Sequence, residues 1–159
     1  MLSRTQLLVI LTSLLIFLGC GGCGNQPAEN DAVRATEALM RSDALLQHFK
    51  SVHPDKEVIV FARADVNNTG NDDRVVIYRD TRDQNMMVVV FDAAGKLQCS
   101  NKVPAPATNQ MIQFKDIDER PPLEFIASGV KGANYGYAIF RLEAGVLSDL
   151  FGEGMEDCC

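Results

Sequence analysis

The chain has no tryptophan, only two histidines and no glycine-rich phosphate loop. The missing tryptophan excludes little, because the composition is otherwise that of an ordinary globular protein. The shortage of histidine excludes more. His48 and His53 are five residues apart, which does not put them on one face of a helix, so they make no zinc pair. A Cys-His or Ser-His-Asp centre is equally hard to assemble from them, and both read as surface or packing residues. No carboxylate pair stands at a specific catalytic spacing. The reading therefore leans away from an enzyme. Positive charge is thin as well: 15 Lys and Arg face 21 Asp and Glu, the net charge is −6, and no basic patch recurs. Nucleic acid is not an expected partner. Residues 7–18 form an apolar run broken only by Thr12 and Ser13, too short to span a bilayer.

That run has the length of a signal-peptide core, and Met1-Leu-Ser-Arg-Thr5 supplies the short positive start before it. Its continuation, Ile16-Phe-Leu-Gly-Cys20, resembles a bacterial lipoprotein signal, with Gly19 before the cysteine that would be lipidated. Phe17 departs from the smaller aliphatic residue usual there, and Cys23 after Gly21-Gly22 is a weaker alternative. The resemblance implies a leader over residues 1–19, lipid on Cys20, and an extracytoplasmic domain anchored to a membrane by acyl chains. Residues 20–30 read as a flexible tether. The leader's one charge is Arg4, so removing it from a chain at −6 leaves −7.

Residues 31–52 have helical spacing, with Val33, Leu39, Leu45, Leu46, Phe49 and Val52 near one face. Asn30 or Asp31 can cap the start, and His53-Pro54 stops the run. Beyond Glu57 the pattern becomes β. Val58-Ile-Val-Phe61, Val75-Val-Ile-Tyr78, Met86-Met-Val-Val-Val-Phe91, Leu123-Glu-Phe-Ile126 and the runs at 135–142 and 146–151 are bounded by turn residues. Asp92-Ala-Ala-Gly-Lys96 and Glu143-Ala-Gly145 read as hairpins. Pro104-Ala-Pro106 separates two halves that look like copies. The segment from Ala64 aligns on the segment from Lys115, so that Asp65 and Asp73 match Asp116 and Glu124. The expected fold class is α+β, mainly β: an antiparallel sheet built from two related β-hairpin repeats with one N-terminal helix. A single globular domain would occupy residues 31–152, with repeat one at about 57–103 and repeat two at about 110–151, followed by a mobile tail over 153–159.

Asp65-Val-Asn67-Asn-Thr69-Gly-Asn71-Asp-Asp73 alternates oxygen-bearing side chains, with Gly70 permitting a tight bend. It resembles the calcium loops of integrin-like FG-GAP repeats. The resemblance implies calcium ligation by the side chains of Asp65, Asn67, Thr69 and Asp73 and by the carbonyl of Asn71. Only two of these are carboxylates, and in the second copy Arg120 and Pro122 fall at ligand positions, which rules that copy out. The competing reading is a metal-free turn in which Asp65 and Asp116 cap backbone N–H groups.

Five cysteines are present: Cys20, Cys23, Cys99, Cys158 and Cys159. With Cys20 lipidated, four thiols remain in a compartment that favours disulfides, and the three pairings stay open. Cys23 and Cys99 are candidates for such a bond. Cys158 and Cys159 follow a stretch with two glycines and three acids, 151–157, and are expected to be mobile. Bridging them would close a small strained ring of the easily reduced kind. Glu153, Glu156, Asp157 and a terminal carboxylate would raise the thiol pKa values, against a preformed nucleophile. The same charges favour the approach of a soft cation, which then strips the protons itself. A lipoprotein-sized chain ending in Cys-Cys resembles the Cys-Cys-COOH (seleno)protein family, SaoC, of selenocysteine-assisted organometal systems. The pair is also similar to the mobile tail with which mercuric reductases collect Hg(II). These resemblances imply that Cys158 and Cys159 bind mercury or an organomercurial and serve a membrane transporter or thiol-relay partner. Two other functions fit the residues: an extracytoplasmic thiol-disulfide redox protein, and a lipoprotein interaction module bearing a calcium loop.

Overall fold

The computed structural model describes Arg34 and residues 37–153. The expected leader and tether, most of the first third of the expected helix, and the Cys158-Cys159 pair lie outside the described residues. The architecture is mainly β, as the sequence predicts, and each repeat forms its own antiparallel sheet.

Helix α1 spans Ala44–Val52. The continuous helix expected over 31–52 is interrupted, because Asp43 leaves the helical conformation (φ −98°, ψ 111°) between the helical residues 38–42 and α1. A side chain that can accept from the backbone competes with helix continuation and is favoured at the cap. Asp43 Oδ1 accepts from Leu45 N and Leu46 N at 3.0 and 3.2 Å. Its other oxygen accepts from Arg74 Nε at 2.6 Å, which ties the helix start to the sheet. Leu46 and Phe49 are buried, whereas Leu39 and Val52 stay about half exposed, so the apolar face is narrower than the spacing suggests. His53 ends the helix and packs its ring against Phe49 and Tyr78, with centroids 5.0 and 5.6 Å away. Burial lowers its pKa, against the raising influence of Asp80.

The first sheet contains β1 (Glu57–Ala64), β2 (Asp73–Arg79), β3 (Asn85–Ala93), β4 (Lys96–Cys99) and β5 (Val103–Ala105). The order is β1-β2-β3-β4, and β5 pairs with a different stretch of β3. Pro104 pairs with Met86 from this outermost strand, where a residue without an N–H is tolerated. The second sheet runs β6 (Thr108–Phe114), β7 (Phe125–Lys131), β8 (Asn134–Glu143) and β9 (Val146–Glu153) in sequence order. Strands β4, β5 and β6 were not legible as apolar runs. The strand expected from Leu123 begins only at Phe125, because Leu123 and Glu124 still belong to the preceding loop. Two hairpins close on Ala94-Gly95 and Ala144-Gly145, with φ between 50° and 85° at all four residues. Both central positions of a type I′ turn need positive φ, which is where a glycine costs nothing.

Val75, Ile77, Met87, Val89 and Phe91 of the first sheet form one buried cluster with Phe125, Ala127, Ala138, Phe140 and Leu142 of the second. The rings of Phe125 and Phe140 stack at 5.7 Å, and burying each contributes roughly 2–3 kcal/mol. The opposite face of the first sheet, with Val76, Tyr78, Val88 and Val90, packs under Leu46 and Phe49 of α1. Among the described residues no helix is long and apolar enough to cross a membrane.

Candidate functional site

The two acidic loops occupy equivalent places, between β1 and β2 and between β6 and β7. In each, a buried carboxylate at the end of the loop reaches back to the backbone seven residues earlier. Asp73 Oδ2 accepts from Val66 N and Asn67 N, both at 3.0 Å. Glu124 Oε2 accepts from Ile117 N at 3.0 Å. The alignment of Asp73 with Glu124 is therefore a structural equivalence, and the shared feature is a carboxylate that holds the loop closed.

In the first loop the expected ligand oxygens point at protons. Asp65 accepts from Thr69 N through Oδ1 at 2.9 Å and from Gly70 N through Oδ2 at 2.7 Å. Asn67 Oδ1 accepts from the Thr69 hydroxyl at 2.7 Å. Asn71 is exposed. Asp65 is thus the backbone cap that the metal-free reading expected, whereas no such bond is seen for Asp116. Beside the loop lies a cleft of about 270 Å³, floored by Phe91 and Leu142 and rimmed by Asn67, Thr69 and Gln98.

Asp73 is 2 % exposed and forms no salt bridge among the described residues; Arg74, which acts to lower its pKa, is paired with Asp43. Burial pushes its pKa up from 3.8 to about 6, against the lowering effect of the two N–H groups. The folded state therefore holds a proton, between about pH 4 and 6, that the unfolded chain has released. Stability conferred by protonated Asp73 is complete below the unfolded value and is lost as pH rises through the folded one. The cost at neutral pH is about 3 kcal/mol, from 1.36 kcal/mol per pH unit. Asp73→Asn keeps an acceptor for Val66 and Asn67 and removes the charge. Urea melts at pH 4 and pH 7.5 should show the variant gaining on the wild type by about that amount, and parallel pH profiles would contradict this account.

The second loop holds the three carboxylates of Asp116, Asp118 and Glu124 within 4.8 Å of one another, the one such trio among the described residues. Arg120 was expected to exclude a cation from this copy, but the guanidinium in place is that of Arg141, on β8. Arg141 Nη2 lies 2.6 Å from Asp118 Oδ2 and also contacts Glu124 Oε1, and Nη1 lies 3.5 Å from Glu143 Oε1. The Arg141 contact holds the Asp118 carboxyl below its ordinary range, and Asp118 raises the arginine in turn. Arg120 instead donates its backbone N–H to Asp118 Oδ1 at 3.1 Å. Sequence reasoning missed Arg141 and Asp118. Extending the repeat alignment one strand further would have flagged Arg141, because its counterpart is Phe91.

Cys99 is half-buried on β4, opposite Val90 and against the α1 cluster, and burial pushes its thiol pKa up. Cys20, Cys23, Cys158 and Cys159 lie outside the described residues. Tight ion pairing in one loop and backbone capping in the other suit structural turns, and His53 is occupied in its aromatic stack. No family model matches the chain, and no curated protein or solved structure does.

Proposed function

We propose that this chain is an extracytoplasmic, lipid-anchored binding protein that captures a soft metal or organometal of the mercury type on Cys158 and Cys159. It then releases the cargo to a membrane transport partner by thiolate exchange, in keeping with the resemblance to the SaoC family. The observation that carries the reading is the adjacent thiol pair, set among Glu153, Glu156 and Asp157 just beyond the last strand. Adjacent soft ligands suit a thiophilic cation, and the acids favour its approach. Cys99 weighs against the rival redox function: a half-buried thiol with a raised pKa is a slow partner in disulfide exchange. Titration of the reduced chain with Hg(II) or methylmercury, beside a Cys158→Ser/Cys159→Ser variant, tests the proposal. Equal affinity in the two would overturn it.

A further inference from the structure

The two acidic loops close in the same way, but the first carries two groups that closure does not need. Thr69 N donates to Asn67 Oδ1 at 3.2 Å, and the same turn bond recurs in the second loop, where Arg120 N donates to Asp118 Oδ1 at 3.1 Å. A carboxylate at 118 therefore serves the turn as well as the amide at 67 does. What the first loop has beyond this is the Asn67 amide nitrogen and the Thr69 hydroxyl. Asn67-Asn-Thr69 is an Asn-x-Thr tripeptide, and of the chain's asparagines only Asn67 has Ser or Thr two residues on. That spacing, with no proline between, is the acceptor sequence for N-linked glycosylation in a surface loop of a secreted protein.

The geometry suits an acceptor. Asn68, Thr69 and Gly70 are exposed on the turn, and Asn68 and Gly70 have φ of 57° and 84°. The Thr69 hydroxyl donates to Asn67 Oδ1 at 2.7 Å, which draws electrons through the amide and makes its nitrogen a readier proton donor. That nitrogen carries two protons and, among the described residues, has one acceptor, Asp92 O at 3.4 Å, beyond the usual range. Asn67 is half-buried and stands with Thr69, Asp92 and Gln98 around the cleft of about 270 Å³, over Phe91 and Leu142. A sugar ring has polar edges and apolar faces, and this cleft sets amide and carboxylate partners for hydroxyls above an apolar floor.

We propose that Asn67 is a site of N-linked glycosylation whose first sugar rests in this cleft. The inference rests on the extracytoplasmic reading, because the acceptor sequence is used on secreted chains. The donor is an oligosaccharide carried on a lipid pyrophosphate, and a membrane transferase supplies the base. The bond from Asn67 Nδ2 to C1 of the sugar forms as the bond from C1 to the pyrophosphate oxygen breaks. Nδ2 gives one proton to a transferase carboxylate, the lipid pyrophosphate leaves with the electron pair, and nothing is oxidised or reduced.

The test is mass spectrometry of the full chain, taken from the membranes of the cells that make it and digested to peptides. The peptide holding Asn67 should be heavier by a sugar chain. Asn67→Gln and Thr69→Val should abolish the addition, whereas Thr69→Ser, which keeps the acceptor hydroxyl, should retain it. The same digest reads the first peptide of the chain, so the two readings fail separately. A chain that begins at acylated Cys20 and carries no sugar overturns this inference and leaves the lipoprotein reading standing. A chain with its leader intact and no sugar overturns both. Sugar that persists in Asn67→Gln lies elsewhere and overturns the assignment.

Discussion

Serine at either Cys158 or Cys159 alone should weaken Hg(II) capture by roughly 10²–10⁴-fold, the range by which a second tethered contact exceeds one. Neighbouring thiolates on one chain reach a shared cation without a second encounter, so removing one turns a chelate into a single ligand. A hydroxyl does not substitute, because it is a hard donor and mercury is a soft acceptor. Serine at both positions should leave only what Cys23 and Cys99 can supply. Cys99→Ser should change little, because that thiol is half-buried and burial raises its pKa. Binding displaces a proton from each thiol, so affinity should climb with pH through the ordinary thiol range of about 8.5 and beyond it, since the neighbouring acids disfavour the thiolate. Added salt should slow capture, since it screens the attraction exerted by Glu153, Glu156 and Asp157. Competition against a small dithiol reads all of these effects. If Cys99→Ser were the variant that lost binding, the site would be elsewhere.

The chain announces its strands where both neighbours are buried. Met86-Met-Val-Val-Val-Phe91 is a central strand buried along almost its whole length, and a continuous apolar run is the signature of that position. Strand β6, Thr108-Asn-Gln-Met-Ile-Gln-Phe114, lies at a sheet edge, and polar residues fill its exposed positions except Met111, so no run is visible. The repeat was legible because the loops are closed by carboxylates at fixed separation, Asp73 and Glu124, which alignment detects. What those carboxylates meet was not legible. Asp73 meets backbone N–H groups of its own loop, whereas Glu124 also meets Arg141 of β8, and the one-residue difference between offsets of 51 and 50 places Phe91 in the first copy where Arg141 stands in the second. The break at Asp43 was hidden for a related reason: hydrophobic spacing continues across a cap.

Arg141→Ala should destabilise the chain at neutral pH by more than an ordinary surface substitution does, because it leaves a buried carboxylate without its cation. Glu124 is 1 % exposed, and Arg141 is the cation against its carboxylate. Without the guanidinium, Glu124 stands as Asp73 already does: buried, bonded to the backbone and unneutralised, a setting that raises the pKa of Asp73 to about 6. Raising the folded pKa of Glu124 makes the penalty one of its charged form. The variant should therefore lie closest to the wild type below about pH 4, where Glu124 is protonated in both folded and unfolded chains. It should fall away as pH rises through the new folded value. Arg141→Lys should recover part of the loss, since an ammonium keeps the charge but cannot span Asp118, Glu124 and Glu143 with a planar fork. Glu124→Gln in the Arg141→Ala background should flatten the pH dependence while retaining an acceptor for Ile117 N. Denaturant melts of the four chains across pH 4 to 8 measure these differences. Arg141→Ala melting as an ordinary surface variant does would show that the cluster is solvated and that the loop is held by its bonds to the Lys115 and Ile117 N–H groups.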